Sequence, residues 1–444
     1  MILLRDLIKV TNGKLIQGNL NTKIEKISID TRILEKGDVF LAIKGEKFDG
    51  HKFFKEAVNK GTKGLIVSNK LKAPKNLFIL KVKDTTEALG KIAFHLRKKA
   101  KIKVIAITGS NGKTTVKEMT AKILGSKFKV LSSQKSYNNK IGIPLTLLNL
   151  KPSHQIVVLE LGANHLGEIR KLAKICQPNI GIITNISKTH IGYFGSQQKI
   201  FKAKTELIRY SNLETLVLNT DDPYLRKIKF KDKITFGIKN SADFRAEILK
   251  ENPKFFTFKI KKIKIKLPLP GIYNVYNALA AIAIGRIFKI SFEKIKKELE
   301  NYKTLPLRSE IFKIKKTTIF QDCYNCNPFS MLEALNALKK FSGKKIIIFG
   351  DMLELGRFSK VEHQKIGKHL QKLKPALVIC IGTSAKFAFR EIKDKNIKKF
   401  WFKFPLKAVG ILKPLLNKPF VILIKGSRKM ELEKIIQKLK ISCY

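Results

Sequence analysis

Cysteine is scarce in this chain of 444 residues. The five present (Cys176, Cys323, Cys326, Cys380 and Cys443) do not make a disulfide framework. No apolar run approaches the ~20 residues that a membrane-crossing helix needs. The apolar start Met1-Ile-Leu-Leu, ended by Arg5 and Asp6, is far too short for a signal peptide. Internal repeats and low-complexity linkers are also missing. These absences leave a soluble, cytoplasmic protein as the expectation. The length exceeds one ordinary core of about 100–200 residues, and 44% apolar residues is too many for a disordered chain.

Acidic residues are few as well. Asp+Glu 34 against Lys+Arg 90 gives a formal net charge of +56, which ordinarily suggests a nucleic-acid partner. Yet twelve of the 90 are Arg and 78 are Lys, spread along the whole chain. A nucleic-acid reader concentrates its charge on one face and uses Arg for bidentate base contacts. An even, Lys-dominated balance is a compositional bias, so no specific nucleic-acid partner is expected. The positive field does suit anionic small substrates such as nucleotides.

Hydrophobic patterning divides the chain into three α/β parts, 1–98, 99–305 and 306–444. The first mixes short strands (Val39-Phe-Leu-Ala-Ile, Gly64-Leu-Ile-Val, Leu77-Phe-Ile-Leu) with helical stretches and ends in a Lys-rich helix, Thr86 to Lys99. In the second, apolar strands at Val104-Ile-Ala-Ile, Ile156-Val-Val-Leu, Ile180-Gly-Ile-Ile and Thr215-Leu-Val-Leu alternate with helical spans. That alternation predicts a doubly wound parallel sheet covered on both faces. Phe255 to Leu267 has period two, as antiparallel strands with one wet face require, so its lysines read as solvated. The third part alternates again, with strands at Lys345-Ile-Ile-Ile-Phe, Ala376-Leu-Val-Ile-Cys-Ile and Phe420-Val-Ile-Leu-Ile.

The strongest local signal is Thr108-Gly-Ser-Asn-Gly-Lys-Thr-Thr115, between an apolar strand and the helical stretch Val116 to Leu124. Gly109 and Gly112 allow close backbone approach to phosphate, and a helix N-terminus offers N–H groups and a positive dipole. Lys113 would reach the β/γ-phosphates and the Thr114 hydroxyl would bind Mg²⁺. The full pattern wants glycine where Ile107 stands, so this is a shortened variant, and an NTP site.

Glu160 ends the next strand and would face the ligand crevice of a doubly wound sheet. There it could hold a metal or a water, or serve the fold alone. Thr184-Asn-Ile-Ser-Lys-Thr-His190 follows the strand after that and places Asn185, Thr189 and His190 on the same edge. Cys323-Tyr-Asn-Cys326 has no second pair, so its thiols read as incidental. The polar cluster around them, Asp322, Tyr324, Asn325 and Asn327, suits ligand recognition. Lys425-Gly-Ser-Arg428, before a helix expected from Lys429, is either an anion-holding turn or a left-handed turn with solvated charges.

Taken together these motifs resemble the ATP-dependent Mur ligases of peptidoglycan synthesis, over nearly the whole chain. The resemblance rests on Ser28-Ile-Asp-Thr-Arg32, Gly37-Asp-Val-Phe-Leu-Ala42 and Phe48-Asp-Gly-His51 in the first part. It continues through the phosphate loop, Tyr137-Asn-Asn139, Leu161-Gly-Ala-Asn-His165, His190 and Asn219-Thr-Asp-Asp222. Asp322-Cys-Tyr-Asn-Cys-Asn-Pro328, Gly350-Asp-Met-Leu-Glu-Leu-Gly356 and Lys425-Gly-Ser-Arg428 complete it. Several segments look like the branch that joins D-Ala-D-Ala to UDP-MurNAc-tripeptide, and no D-N-P-R segment of the diamino-acid-adding branch is present.

The resemblance implies three domains. They are a smaller α/β domain for the UDP-sugar-peptide, a central doubly wound ATPase domain and a Rossmann-like C-terminal domain, in a monomer. It implies that Gly109, Ser110, Asn111, Gly112, Lys113, Thr114 and Thr115 hold ATP, with Asn274 at the adenine and Arg308 and Asp322 reaching in from the C-terminal domain. Thr114 would bind Mg²⁺. Glu160, His190 and a carbamylated Lys204 would hold a second metal, although by sequence alone Lys204 is one surface lysine among many. Asp30, Thr31 and Arg32 would contact the uridine nucleotide. Asn138, Asn139, Asn325 and Asn327 would meet the peptide substrates. The chain departs from the family pattern at Tyr273, where His is usual, at Leu307, where Gly precedes Arg, and at Cys326, where Ala is customary.

Overall fold

The computed structural model describes residues 2–45, 48–134 and 137–441; Met1 and Cys443 lie outside them. Each part of the chain is built on its own sheet. The first has five strands in the order Lys14–Gln17, Phe78–Lys81, Gly64–Val67, Val39–Leu41, Ile27–Ser28, all parallel except the first. Its closing helix, Thr85–Lys99, starts where the Asp84 side chain accepts from the Glu87 N–H at 2.8 Å. Arg97, buried near its end, donates to the carbonyls of Cys176 and Gln177, each at 3.0 Å, and so fastens the first unit to the second.

The central sheet has nine strands. Val130–Ser132, Ile156–Glu160, Lys103–Thr108, Ile180–Ile183, Thr215–Asn219 and Lys233–Gly237 run parallel, and Phe244–Asn252, Phe255–Ile260 and Ile263–Leu267 complete the far edge. The last three are joined as antiparallel hairpins, and Lys259, Lys262, Lys264 and Lys266 there are exposed, as the two-residue period predicts. Lys103–Thr108 to Ile180–Ile183 are buried on both faces, which is why they read as unbroken apolar runs. One face is covered by helices Lys113–Gly125 and Ile272–Ile287; the second is mostly apolar and largely buried.

The C-terminal sheet has six strands in the order Glu310–Ile314, Thr317–Gln321, Val421–Lys425, Lys345–Gly350, Leu377–Ile381, Lys398–Phe402, with only the first antiparallel. One cluster of buried apolar side chains runs from Ile183 and Ile191 in the central unit to Met352 and Leu355 in this one, so the two units are packed together. The expected helix from Lys429 is displaced. Arg428–Met430 is a single 3₁₀ turn, and the helix proper spans Glu433–Ile441 after Glu431 takes a left-handed conformation.

Asp222 holds the edge loops of the central sheet in register. Its buried carboxylate accepts from the Ile186 N–H at 2.7 Å, the Tyr224 N–H at 2.9 Å and the Leu225 N–H at 3.0 Å. Asp222→Ala leaves these donors without their partner, so we expect a loss of about 1–3 kcal/mol. A lowered thermal midpoint checks this; an unchanged midpoint contradicts it.

Candidate functional site

The order of the central sheet decides where the site forms. From Lys103–Thr108 the chain goes to one side, laying down Val130–Ser132 and Ile156–Glu160, then returns to lay Ile180–Ile183 on the other. The loops leaving these three strands part around a crevice, the usual ligand position in an open α/β sheet. The phosphate loop, Glu160 and Thr184–His190 all lie there.

The phosphate loop is splinted by its neighbour. The Ser110 N–H donates to the Asn185 carbonyl at 2.8 Å, the Asn111 N–H to Asn185 Oδ1 at 3.1 Å, and Thr184 Oγ1 to the Asn111 carbonyl at 2.6 Å. Asn185 therefore holds the loop through both its carbonyl and its side chain. Gly112 takes φ 81° with the Asn277 side chain packed where a Cβ would stand, so only glycine fits. The helix Lys113–Gly125 begins there, with the positive end of its dipole at the crevice. Lys113 Nζ donates to the carbonyls of Gly109 and Ser110 at 3.0 and 3.1 Å.

Glu160 is buried at the floor. It accepts from Thr114 Oγ1 at 2.6 Å and from Asn138 Nδ2 at 2.8 Å. Burial alone would raise its pKa, but Lys113, the Thr114 hydroxyl, Arg308 and Asn138 outweigh burial and leave it lowered. Burial lowers the pKa of Lys113, with Glu160 opposing. The carboxylate thus stays ionised among cations although it is buried.

The C-terminal unit closes the pocket. Arg308 Nη2 donates to Thr114 Oγ1 at 3.0 Å while its guanidinium lies 3.8 Å from the Tyr324 ring centroid. Asn327 Nδ2 donates to Asn111 Oδ1 at 2.7 Å. Tyr273, the residue in place of histidine, shares a hydrogen bond with Ser309 Oγ at 2.9 Å. Asn274 donates to the Pro270 carbonyl at 2.7 Å and accepts from Asn277 at 3.1 Å. Leu307 stands at φ 65°, which explains why glycine suits that place. Its N–H donates to Glu310 Oε2 at 2.6 Å and its side chain packs on the C-terminal core, offsetting the unfavourable backbone.

A cavity of about 670 Å³ results. It is lined by Ser110 to Thr115, Asn138, Asn139, Glu160, His190, Asn274, Arg308, Asp322, Asn325 and Asn327. Two candidates for this chemistry stand outside that lining. Gly109 contributes its carbonyl to Lys113. Lys204 is not the surface lysine that its sequence context suggests: it is 2% exposed, donates to the Ala163 carbonyl at 3.2 Å and lies over the Phe194 ring. Burial pulls its pKa down to about 7.

Lys425 is not a solvated charge: it is buried, pairs with the Asp322 carboxylate, donates to the Asn325 carbonyl at 3.2 Å and borders the same cavity. It braces the loop that carries the polar cluster. Cys323 and Cys326 are free and buried, and burial pushes their thiols up to about 11 and about 12, so neither is reactive.

Among the described residues no group of three or more His, Cys, Asp or Glu side chains could hold a metal. Mg²⁺ asks for less, since one or two carboxylates suffice when phosphates and water complete its shell. Glu160 and Thr114, 2.6 Å apart, are a hard-oxygen pair that fits it.

A second cavity, of about 970 Å³, opens between the first sheet and residues 131–154. Asp30, Thr31 and Arg32 line it with Phe48, Phe53 and Tyr137. The Asp30 carboxylate accepts from Arg32 Nε at 2.9 Å and Nη2 at 2.7 Å, and the Phe48 and Phe53 rings stack at 5.4 Å. Tyr137 borders this cavity and Asn138 the first, so the two are neighbours along the chain. The aromatic pair Phe48 and Phe53 is not singled out in the sequence as part of a site. Phe48 lies within a quoted motif, which was the available signal.

Comparison with known proteins agrees with this architecture. Residues 23–97 match the model for the Mur ligase family catalytic domain, 107–285 the Mur ligase middle domain, and 307–428 the Mur ligase glutamate ligase domain. The UDP-N-acetylmuramoyl-tripeptide–D-alanyl-D-alanine ligase of Haemophilus influenzae is 35% identical, over 98% of this chain and 97% of that protein. A crystal structure of MurF from Acinetobacter baumannii superposes with a TM-score of 0.92 at 33% identity, covering 98% of each chain. MurF ligase from Thermotoga maritima in complex with ADP gives 0.85 at 28% identity, over 94% of this chain and 98% of that one.

The buried Lys204 generates a pH prediction. Its folded pKa of about 7 lies below its ordinary value of 10.5, so between the two the unfolded chain binds more protons and stability rises with pH. Below the lower value both states are protonated and the full penalty applies. With carbon dioxide excluded, Lys204→Met should exceed the parent in thermal midpoint most at about pH 6, with the difference closing toward about pH 10. A pH-independent difference contradicts this.

Proposed function

Because the chain belongs to the Mur ligase family, in the branch of the UDP-N-acetylmuramoyl-tripeptide–D-alanyl-D-alanine ligases, we propose that it uses ATP to join D-Ala-D-Ala to UDP-MurNAc-tripeptide. The observation that carries this is one cavity in which the phosphate loop, an ionised Glu160 and the loop Asp322–Asn327 face each other. Beside it lies a second cavity large enough for a nucleotide sugar.

A carboxylate is a poor acyl donor and must be activated. A terminal oxygen of the tripeptide carboxylate attacks the γ-phosphorus of ATP, an O–P bond forms, the β–γ bridge breaks and ADP leaves. The D-Ala-D-Ala amine then attacks the acyl phosphate carbon, a C–N bond replaces the C–O bond, and phosphate and a proton are released.

Lys113 leaves the carbonyls of Gly109 and Ser110 for the phosphates and offsets charge there, with Arg308 beside it. Thr114 and Glu160 would hold Mg²⁺, which would supply further charge neutralisation when bound. Gly109 to Thr115 cradle the phosphates, Asn274 lies at the adenine and Asp322 on the nucleotide's C-terminal side. Asp30, Thr31 and Arg32 take the uridine nucleotide, Asn138 and Asn139 the muramyl peptide, and Asn325 and Asn327 the dipeptide.

Glu160, His190 and Lys204 would hold a second metal, Lys204 as a carbamate. Carbamate formation needs a neutral amine to add to carbon dioxide with loss of a proton, and a lysine with a pKa near 7 provides one. In this reading residues 1–98 bind the UDP-sugar, 99–305 bind ATP and 306–444 close the site, in a cytoplasmic monomer. Closure excludes water from the acyl phosphate.

Phosphate release from ATP and Mg²⁺ at moderate salt tests the reading. It should require both UDP-MurNAc-tripeptide and D-Ala-D-Ala, fall about 10²–10³-fold in Lys113→Met, and fall when carbon dioxide is depleted. Release that ignores both substrates but rises with added nucleic acid would overturn it.

A further inference from the structure

The loop after Lys345–Gly350 meets the loop after Ile180–Ile183 in a contact that the reaction above does not use. His190 donates through Nδ1 to the carboxylate of Glu354. The Gly192 N–H donates to the Glu354 carbonyl at 3.0 Å. The two backbones are so close that a Cβ on Gly192 would stand 2.5 Å from the Gly356 nitrogen and 2.7 Å from the Glu354 oxygen. His190 at φ 54° and Glu354 at φ 65° are both in the left-handed region, uncommon for residues other than glycine. Backbone of this kind persists where its surroundings over-determine it. Here Ile191 and Leu355, both buried, belong to the apolar cluster shared by the two units.

His190 lines the 670 Å³ cavity, and with Nδ1 turned to Glu354 its remaining ring nitrogen is Nε2. A carboxylate accepts only, so the Nδ1 that meets it must carry the hydrogen. A neutral imidazole then has its lone pair on Nε2.

We propose that Glu354 is a positioning residue for His190. It selects the Nδ1–H tautomer and leaves Nε2 as the acceptor available to the cavity. Because Glu354 belongs to the C-terminal unit, the imidazole is set only when that unit is docked. The inference rests on the reading of His190 as a ligand in that cavity, but its first test does not depend on ligase activity. Partners of this kind, one bond removed from a metal, commonly change affinity by 10–100-fold.

¹⁵N NMR of the full chain, free of metal and nucleotide and with the imidazole neutral, reads the tautomer directly. His190 should be Nδ1–H in the parent chain and in Glu354→Gln, whose amide oxygen still accepts. It should shift toward Nε2–H in Glu354→Ala. Gly192→Ala, which forces the loops apart while keeping Glu354, should shift it likewise. In turnover, Glu354→Ala should raise the Mg²⁺ concentration for half-maximal rate about tenfold, with KM for ATP little changed and Glu354→Gln close to the parent. A His190 that is Nε2–H in the parent, or whose tautomer ignores Glu354→Ala, overturns the proposal. Correct tautomers in a chain without ligase activity would instead remove the proposed function and leave the positioning intact.

Discussion

An ionised carboxylate buried at the floor of a crevice is the interaction around which this molecule is organised. Glu160 is 3% exposed, and a charge so placed is costly unless it is paired and hydrogen-bonded. Lys113 and Thr114 come from the phosphate loop, Asn138 from the segment facing the first unit, and Arg308 from the C-terminal unit. Satisfying one side chain therefore draws on the central unit's own loop, the peptide-side segment and the C-terminal unit. The same geometry places a helix N-terminus, two cations and a hard-oxygen pair around one space, an arrangement suited to a polyphosphate.

The parts of this arrangement that depend on local sequence could be read from it. A strand–glycine–lysine–helix junction has few other uses, and the apolar strands of the central sheet were recognisable because they are buried on both faces. Period two likewise identified the Lys-rich hairpins. What could not be read was the burial of single lysines. Lys204 looks like the solvated ones along the chain and Lys425 like part of a turn, and only tertiary packing puts one against the Ala163 carbonyl and the other against Asp322. Glu354 lay within a quoted motif, but its contact with His190 crosses 164 residues of chain, beyond any periodicity. The helix expected from Lys429 begins later because Glu431 turns left-handed first, which no pattern signals.

The excess of lysine is consistent with this division. The buried lysines are partnered: Lys117 with the Ser133 carbonyl and the Glu118 carboxylate, Lys204 with the Ala163 carbonyl and Lys425 with Asp322. The alternating lysines of the hairpins face solvent. Positive charge is thus a property of the surface as a whole, while the cations lining the crevice, Lys113 and Arg308, are few and held in place. That supports a field attracting anionic substrates without specifying a nucleic acid.

The central claim is that the crevice activates a carboxylate by phosphorylating it. The most direct measurement uses UDP-MurNAc-tripeptide labelled with ¹⁸O in its terminal carboxylate, with ATP, Mg²⁺ and D-Ala-D-Ala, and mass analysis of the phosphate released. The account predicts one ¹⁸O in each phosphate, because the oxygen that attacks the γ-phosphorus departs with it. Phosphate without label, formed together with the amide product, would contradict it.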